Sequence, residues 1–246
     1  MSINKATSFG ALTDHFAILD IDGMSDILKL VSSSKVPRAQ ERADAQDENE
    51  DIAASAYHGN SAGEIYEISS TFALKSGTLT LSDLNIGELT AGTLAESLGL
   101  TTANGAWPQL TVSGFIGLET ITAPTGKTNK FTLPGISVLG IKQAQCLGFT
   151  VSAGKLTGSS ITFNCSMAEQ QDGLGEPVAH GVSGGTGELT AEFVRIETAP
   201  AWALAAVLTA AEFLAEVTQS PGAEEGQAAW HTATGAASFI VPRLAS

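Results

Sequence analysis

The sequence predicts a mainly β protein made of two related β-sandwich or β-barrel units, each carrying one short helix. Many short strand-like segments are divided by glycine and proline, which is typical of sandwiches and barrels. Several sequence landmarks recur after about 120 residues, which is half of the chain and a normal domain size. Hydrophobic residues make up 43% and charged residues only 15% of the 246 residues, so the chain can bury a core and is not disordered.

The repeat divides the chain into a first unit at 1–123 and a second at 124–246. The matching landmarks are Tyr57-His58-Gly59 with Ala179-His180-Gly181, Leu94-Ala95-Glu96 with Leu214-Ala215-Glu216, and Ala106-Trp107 with Ala229-Trp230. Landmarks that keep their spacing over a whole unit indicate duplication. The alternative is chance matching in a sequence rich in alanine and glycine.

The strands are predicted from alternation of apolar and polar residues and from enrichment in strand formers. In chain order they cover 64–74, 78–81, 109–113, 147–152, 160–165, 189–197 and 237–241. The segments 147–152 and 160–165 are expected to form a hairpin, because Ala153-Gly154 between them is a turn signal.

One longer helix is predicted at 202–217. Leu204, Val207, Leu208 and Ala211 follow the i, i+3, i+4, i+7 spacing of a helix with one apolar side, and Pro221-Gly222 comes after its end. The corresponding piece of the first unit, 91–98, is shorter and is predicted to form a single helical turn.

The stretch 41–51 holds six acidic residues against Arg42 and is predicted to be a solvated acidic loop. Its acidic side chains Asp44, Asp47, Glu48, Glu50 and Asp51 are candidate interface residues. Asp47-x-Asn49-x-Asp51 looks like the opening of a calcium loop, but Ile52 stands where glycine is required and His58 where glutamate is required, which excludes an EF-hand. A weaker cation site stays open, and we expect no resident metal or cofactor.

Gly-x-Ser-x-Gly occurs twice, around Ser61 and Ser183. In α/β-hydrolases this motif is a turn from a strand into a helix. Here a loop precedes each motif and a strand-like stretch follows it. The motifs are therefore predicted to be glycine-rich turns related by the repeat, with His58, Gly59, His180 and Gly181 as their marker residues, and we expect no enzyme.

The charge excludes another class of function. The chain has 26 acidic and 12 basic side chains, a net charge of −14, which leaves few basic side chains to form a surface that binds nucleic acid.

Two cysteines cannot form a disulfide framework, and we expect both thiols to be reduced in a cytoplasm. The longest apolar run, 203–208, is too short to span a membrane, and the N-terminus does not read as a signal peptide.

The chain resembles a tailed-bacteriophage virion protein, in particular a tail tube protein in duplicated form. The resemblance rests on the β architecture, the acidic stretch 41–51, and the segments Lys75-Ser-Gly-Thr-Leu-Thr-Leu81 and Asn104-Gly-Ala-Trp-Pro-Gln-Leu-Thr-Val-Ser-Gly114. It implies that chains made in the host cytoplasm assemble into rings or a tube in the virion, as trimers or hexamers, beside other virion proteins. It also implies an acidic lumen through which DNA passes without specific binding, and the same five acidic residues of 41–51 are the candidates for lining it. Pairing of strand edges between neighbours, with 64–74 as the candidate strand, would join the ring.

Two alternatives remain open from the sequence. One is a different phage component, such as a capsid decoration, a neck protein or a baseplate protein. The other is a β carbohydrate-binding module, which the small number of aromatic platforms disfavours, since the chain has only three tryptophans and two tyrosines.

Overall fold

The computed structural model describes residues 27–39, 41–58, 65–90, 92–118, 121–151, 155–195, 202–209, 213, 215–225 and 231–246. The described chain is mainly β with almost no helix, which confirms the predicted class. No helix in these ranges has the length and apolar character needed to cross a membrane.

One large sheet organises the molecule. Its strands lie side by side in the order β1 (Leu28–Pro37), β4 (Tyr66–Leu74), β8 (Gln109–Ile116), β7 (Thr93–Ala103), β13 (Lys155–Gln171), β14 (Pro177–Arg195), β17 (His231–Ile240) and β16 (Ala215–Glu225). All of these neighbours are antiparallel. Strand β1 lies at one end of this order and β16 at the other.

Shorter strands extend the sheet or pair separately. β6 (Asn85–Thr90) joins β7 to β10 (Lys127–Thr132), which also pairs with β18 (Arg243–Ala245), while β9 (Ile121–Thr122) lies parallel to β14. Three two-stranded pairs are β2 (Glu41–Gln46) with β3 (Ile52–His58), β5 (Thr78–Thr80) with β11 (Ser137–Leu139), and β12 (Phe149–Val151) with β15 (Trp202–Leu204).

The core lies under one face of the large sheet because apolar residues alternate with polar ones along its strands. Ile68 and Phe72 of β4, Phe163 of β13 and Phe239 of β17 all belong to one buried cluster. This cluster contains residues from both predicted units, and the sheet crosses the boundary where β7 pairs with β13. The division at residue 123 stays a prediction.

The predicted helix at 202–217 is wrong. Residues Trp202–Leu204 form β15, the described helix α1 covers only Ala206–Thr209, and Ala215–Glu225 form β16, so Pro221-Gly222 lies within a strand. Of the apolar residues with helical spacing, Val207 and Leu208 lie in this single helical turn, and Leu208 is buried. Pairing with β12 and β17 outweighs the helical spacing, because tertiary contacts override weak local propensity. The helical turn predicted at 91–98 is also wrong, since residues 93–98 belong to β7.

Two further predictions are corrected by strand pairing. Residues 147–152 and 160–165 do not form a hairpin, because β12 pairs with β15 while β13 lies between β7 and β14. The acidic stretch 41–51 is not simply a loop. Its first six residues form β2, which pairs with β3, and only residues 47–51 make the connecting turn.

The two cysteines are both free thiols. Cys146 is exposed and Cys165 is buried in β13, where its Sγ lies 3.4 Å from the carbonyl oxygen of Ala95. Burial, with the nearby Glu96 carboxylate, raises the pKa of the Cys165 thiol to about 12. This thiol is therefore an unreactive core group at neutral pH.

Candidate functional site

The face of the large sheet opposite the core is open and polar. The outward residues of six neighbouring strands align in rows across the sheet and are exposed or half-buried. We call this surface the open face. Its rows are Ser69–Ser113–Ser97–Asn164–Thr186–Ile240, Thr71–Thr111–Gly99–Thr162–Glu188–Ser238 and Gln109–Thr101–Ser160–Thr190–Ala236.

These rows contain one carboxylate, Glu188, and no lysine or arginine. Three further carboxylates border the rows: Glu67 and Glu192 continue the outward alternation of β4 and β14, and Glu96 lines a pocket with Glu67, Ser69 and Ser113. One lysine, Lys155, lies beyond Glu192 at the start of β13, where it stands opposite Val194. The first basic residue met along the rows is Lys29, which lies on the edge strand β1 opposite Ala73 of β4. Neighbouring hydroxyls bond to each other, as between Ser160 Oγ and Thr190 Oγ1 at 2.6 Å. The open face therefore offers small hydroxyl groups and weak negative charge.

Two hairpins carry the same five-residue turn. In β2–β3 the Asp47 carboxylate accepts the backbone N–H groups of Asn49 at 2.8 Å and Asp51 at 3.1 Å. In β13–β14 the Asp172 carboxylate accepts those of Leu174 at 2.8 Å and Glu176 at 3.0 Å. The backbone bonds that close the two turns are equivalent as well.

The hairpins also share an unusual backbone position. The fourth residue of each turn has a positive φ, 65° at Glu50 and 81° at Gly175. Below the turns, the strand register sets a glutamate position opposite a histidine position in both hairpins, Glu41 opposite His58 and Glu169 opposite His180. The two hairpins therefore share their turn and this register position, while the duplication of the whole unit stays a prediction. The first hairpin has three more residues on each arm between this pair and the turn.

In the second hairpin the glutamate and histidine belong to a buried cluster. His180 is only 3% exposed, its Nε2 lies 3.5 Å from Glu169 Oε2, and neither ring nitrogen has a hydrogen-bond partner among the described residues. Arg38, which follows β1, donates a hydrogen bond to the same Glu169 oxygen, and Gln171 Nε2 donates to Glu169 Oε1 at 3.0 Å. The ion pair thus ties the segment between β1 and β2 to the β13–β14 hairpin.

The Glu169 carboxyl is held in its ionised form. Burial by itself raises its pKa, but the hydrogen bonds from Arg38 and Gln171, together with the charge of Arg38 and the neighbouring His180, lower the pKa below its ordinary value. A carboxyl whose pKa is depressed by folding stabilises the folded state above its unfolded pKa of about 4.3. This stabilisation is lost as the pH falls through the folded value.

Glu169→Gln should therefore lower the free energy of unfolding by about 1–3 kcal/mol at pH 7, because Arg38 loses its ionised acceptor. The difference from the parent should shrink as the pH is lowered below about 4, where the parent carboxyl is itself protonated. Urea denaturation between pH 3 and 7 measures this. Glu67→Gln, an exposed carboxylate on the open face, is the control and should change the free energy by less than about 0.5 kcal/mol. Equal stability of Glu169→Gln and the parent at pH 7 would contradict the role of the pair.

The predicted acidic residues lie on the first hairpin and not on the open face. Asp44 is exposed on β2 and accepts hydrogen bonds from Arg42 Nε at 2.7 Å and Ser55 Oγ at 2.6 Å. Asp47 organises the turn, and the remaining acids, Glu48, Glu50 and Asp51, are exposed. Within the described part of the chain, no group of three or more histidine, cysteine, aspartate or glutamate side chains is placed to hold a metal ion.

The predicted turn at His180 and Gly181 is wrong. Both residues lie inside β14, which makes a bulge near Gly184, where φ is 63°. The Ser183 hydroxyl lies 3.5 Å from the Ser166 carbonyl oxygen and is not bonded to His180, so this motif does not form a serine–histidine pair. In the first copy His58 ends β3, and Gly59 and Ser61 lie outside the described residues.

The sequence interpretation missed Arg38, Glu169 and the open face. Alternation along single strands signals an outward polar side, but the rows appear only when the pairing of strands from both halves is known. Arg38 and Glu169 are 131 residues apart, and no local pattern joins them.

None of the protein-family models matches this chain, and no curated protein matches it in sequence.

Proposed function

We propose that this chain is a structural virion protein that assembles into rings or a tube and forms the tail conduit for phage DNA. The open face is the observation that carries the proposal. A wall along which DNA slides must not hold phosphate, and basic side chains would do so by forming ion pairs and releasing counterions. A surface of hydroxyls and a few carboxylates repels phosphate over about 8–10 Å at physiological salt. The proposal assigns no catalytic role and no cofactor to the chain.

In the proposed assembly each chain contributes two related β units, so three chains would make a ring of six units; a hexamer of chains is the other arrangement to be tested. The wall would be continuous if the outer edge of β1 in one chain paired with β16 of the next. Within the described strand order these are the outermost strands. Strand β4, the edge suggested by the sequence, lies between β1 and β8 and cannot serve.

The edge strand β1 carries exposed apolar side chains that support this lateral contact. Val31 is 58% and Val36 is 55% exposed. Proteins usually protect a free strand edge with lysine, proline or a bulge, because unpaired backbone groups recruit other strands. Strand β1 has such features at its two ends, with Lys29 and the bulge at Val31 on one side and Lys35 and Pro37 on the other, so the stretch left open for pairing is Ser32–Ser34 between the two valines.

Replacing both valines, in Val31→Lys/Val36→Lys, should abolish ring formation, since two like charges on an edge disfavour pairing. The free energy of unfolding should change by less than about 0.5 kcal/mol per site, because both side chains are exposed. Negative-stain electron microscopy with mass determination in solution measures assembly, and urea denaturation measures stability. Ile240→Lys is the matched control, because Ile240 is 51% exposed on β17, a strand paired on both sides.

The parent protein should give rings or hollow tubes with three-fold or six-fold symmetry in the same images. A parent that stays monomeric at every concentration would contradict the proposal and would favour a capsid decoration or a binding module. Normal rings from the double valine variant would contradict the assignment of β1 as the lateral edge.

A further inference from the structure

We propose that copies of this chain also associate head to tail, with the Leu174 turn of one copy docking on an apolar and basic patch at the opposite end of the next. This contact rests on the proposed function, since it would stack one ring on another. It concerns the two ends of β13, not the lateral edges of the sheet.

The first surface is the turn of the β13–β14 hairpin. Leu174 is 82% exposed at its tip. The Asp172 carboxylate accepts a hydrogen bond from the Leu174 backbone N–H at 2.8 Å, so the leucine lies on an ordered turn. Asp172 and Glu176 place two acids on this turn, which contains no base. A large apolar side chain fixed in this way on a tip favours contact with another surface.

The second surface lies at the other end of β13 and is named here the lysine end. Leu139 is 48% and Ile141 is 40% exposed, and Lys142 follows them directly. The backbone at Leu139 is held in place by Gln145, whose side chain accepts a hydrogen bond from the Leu139 N–H and donates one to the Leu139 carbonyl oxygen, both at 2.7 Å. The loop is further held to the turn after β4 by the bond from Gly140 N to Gly77 O at 3.0 Å.

Lysines surround this apolar pair. Lys75 lies in the adjoining turn after β4, Lys142 Nζ lies 5.5 Å from the centre of the Trp107 ring, and Lys155 begins β13. The described segments that meet here, 27–30, 73–78, 103–109, 139–146 and 155–158, contain no acidic residue. The nearest carboxylate on the adjoining strand is Glu192, whose backbone stands opposite Gly158. These segments are therefore basic in a chain of net charge −14, and the acids at this end of the sheet, Glu224 and Glu225, lie three strands away on β16.

The two surfaces match in chemistry and lie at opposite ends of the molecule. An apolar tip flanked by acids faces an apolar pair flanked by lysines, so both burial and charge favour the contact. Strand β13 has 17 residues and spans about 55 Å from the lysine end to the turn, because a strand rises about 3.3 Å per residue. A contact between different surfaces of identical chains repeats from copy to copy, which gives a stack and not a closed dimer.

Reciprocal charge reversal tests the contact. A tip variant, Leu174→Lys/Glu176→Lys, and a patch variant, Lys75→Glu/Lys142→Glu, each place like charges on both docking surfaces. Each variant alone should need at least tenfold higher concentration than the parent to form stacks, and an equimolar mixture should recover them. Sedimentation velocity and stack lengths in negative stain are the measurements, with circular dichroism to establish that each variant is folded.

The repeat supplies a matched control, since the equivalent turn of the β2–β3 hairpin can be reversed by Glu48→Lys/Glu50→Lys. This control should stack like the parent. Parent-like stacking of either test variant, no recovery on mixing, or loss of stacking in the control would overturn the contact. Rings of the parent that never stack would overturn it while leaving the proposed function standing. Stacks without closed rings would instead support the contact and count against the conduit.

Discussion

Gly114→Ala should lower the free energy of unfolding by about 3 kcal/mol, although it adds a single methyl group. Gly114 lies in β8, where β7 bulges next to Ala95. A Cβ at position 114 would lie 1.9 Å from the carbonyl oxygen of Leu94 and 3.0 Å from the Cα of Ala95. Both are backbone atoms of the paired strand, so no side-chain rotation can relieve the overlap and the two strands must separate.

Gly99→Ala on the neighbouring strand β7 is the matched control. A Cβ there meets only the Thr162 hydroxyl, at 3.7 Å, which is ordinary contact. Because glycine inside a strand costs about 0.5–1 kcal/mol relative to alanine, this variant should be as stable as the parent or slightly more stable. Urea denaturation followed by circular dichroism compares the two. Equal stability of both variants would mean that β7 and β8 are not paired in this register.

Phe163→Ala should cost about 3–5 kcal/mol, because it empties a fully buried aromatic site. Phe163 lies on β13 between β7 and β14 and packs edge-to-face on Phe239, with ring centres 5.8 Å apart. A Cβ at Gly187, the residue opposite Phe163 on β14, would lie 2.1 Å from the Phe239 ring, so this ring already fills the available space. The control is Phe115→Ala on β8, a half-buried aromatic residue that packs at the margin of the same cluster and should cost less, about 1–2 kcal/mol, because part of its surface is already exposed.

The shape of the Phe163→Ala transition also tests the division at residue 123. The pairing of β7 with β13 joins the two predicted units through backbone hydrogen bonds and a shared core. We therefore expect one cooperative transition, shifted as a whole to lower urea concentration. Two separate transitions, with only the second weakened, would instead identify 1–123 and 124–246 as independent folding units.

The sequence interpretation failed where a local pattern fitted two structures. The spacing of Leu204, Val207 and Leu208 fits a long helix, yet the flanking residues are used as strands β15 and β16 because partners for them exist elsewhere in the fold. The acidic stretch fits a loop, yet its residues 41–46 find a partner in residues 52–58. Strand pairing depends on what the rest of the chain provides, and propensity carries little of that information.

The sequence by itself determined the mainly β class and the position of most predicted strands, because alternation with period two can be read along the chain, while the internal repeat stays a prediction. Tertiary structure alone decided which strands are neighbours. Pairing brought Glu169 to His180 and Arg38, aligned hydroxyl side chains into the open face, and placed Leu174 and the lysine end at opposite ends of one strand. These surfaces join residues from distant parts of the chain, and such contacts are set by burial and hydrogen bonding of the whole sheet.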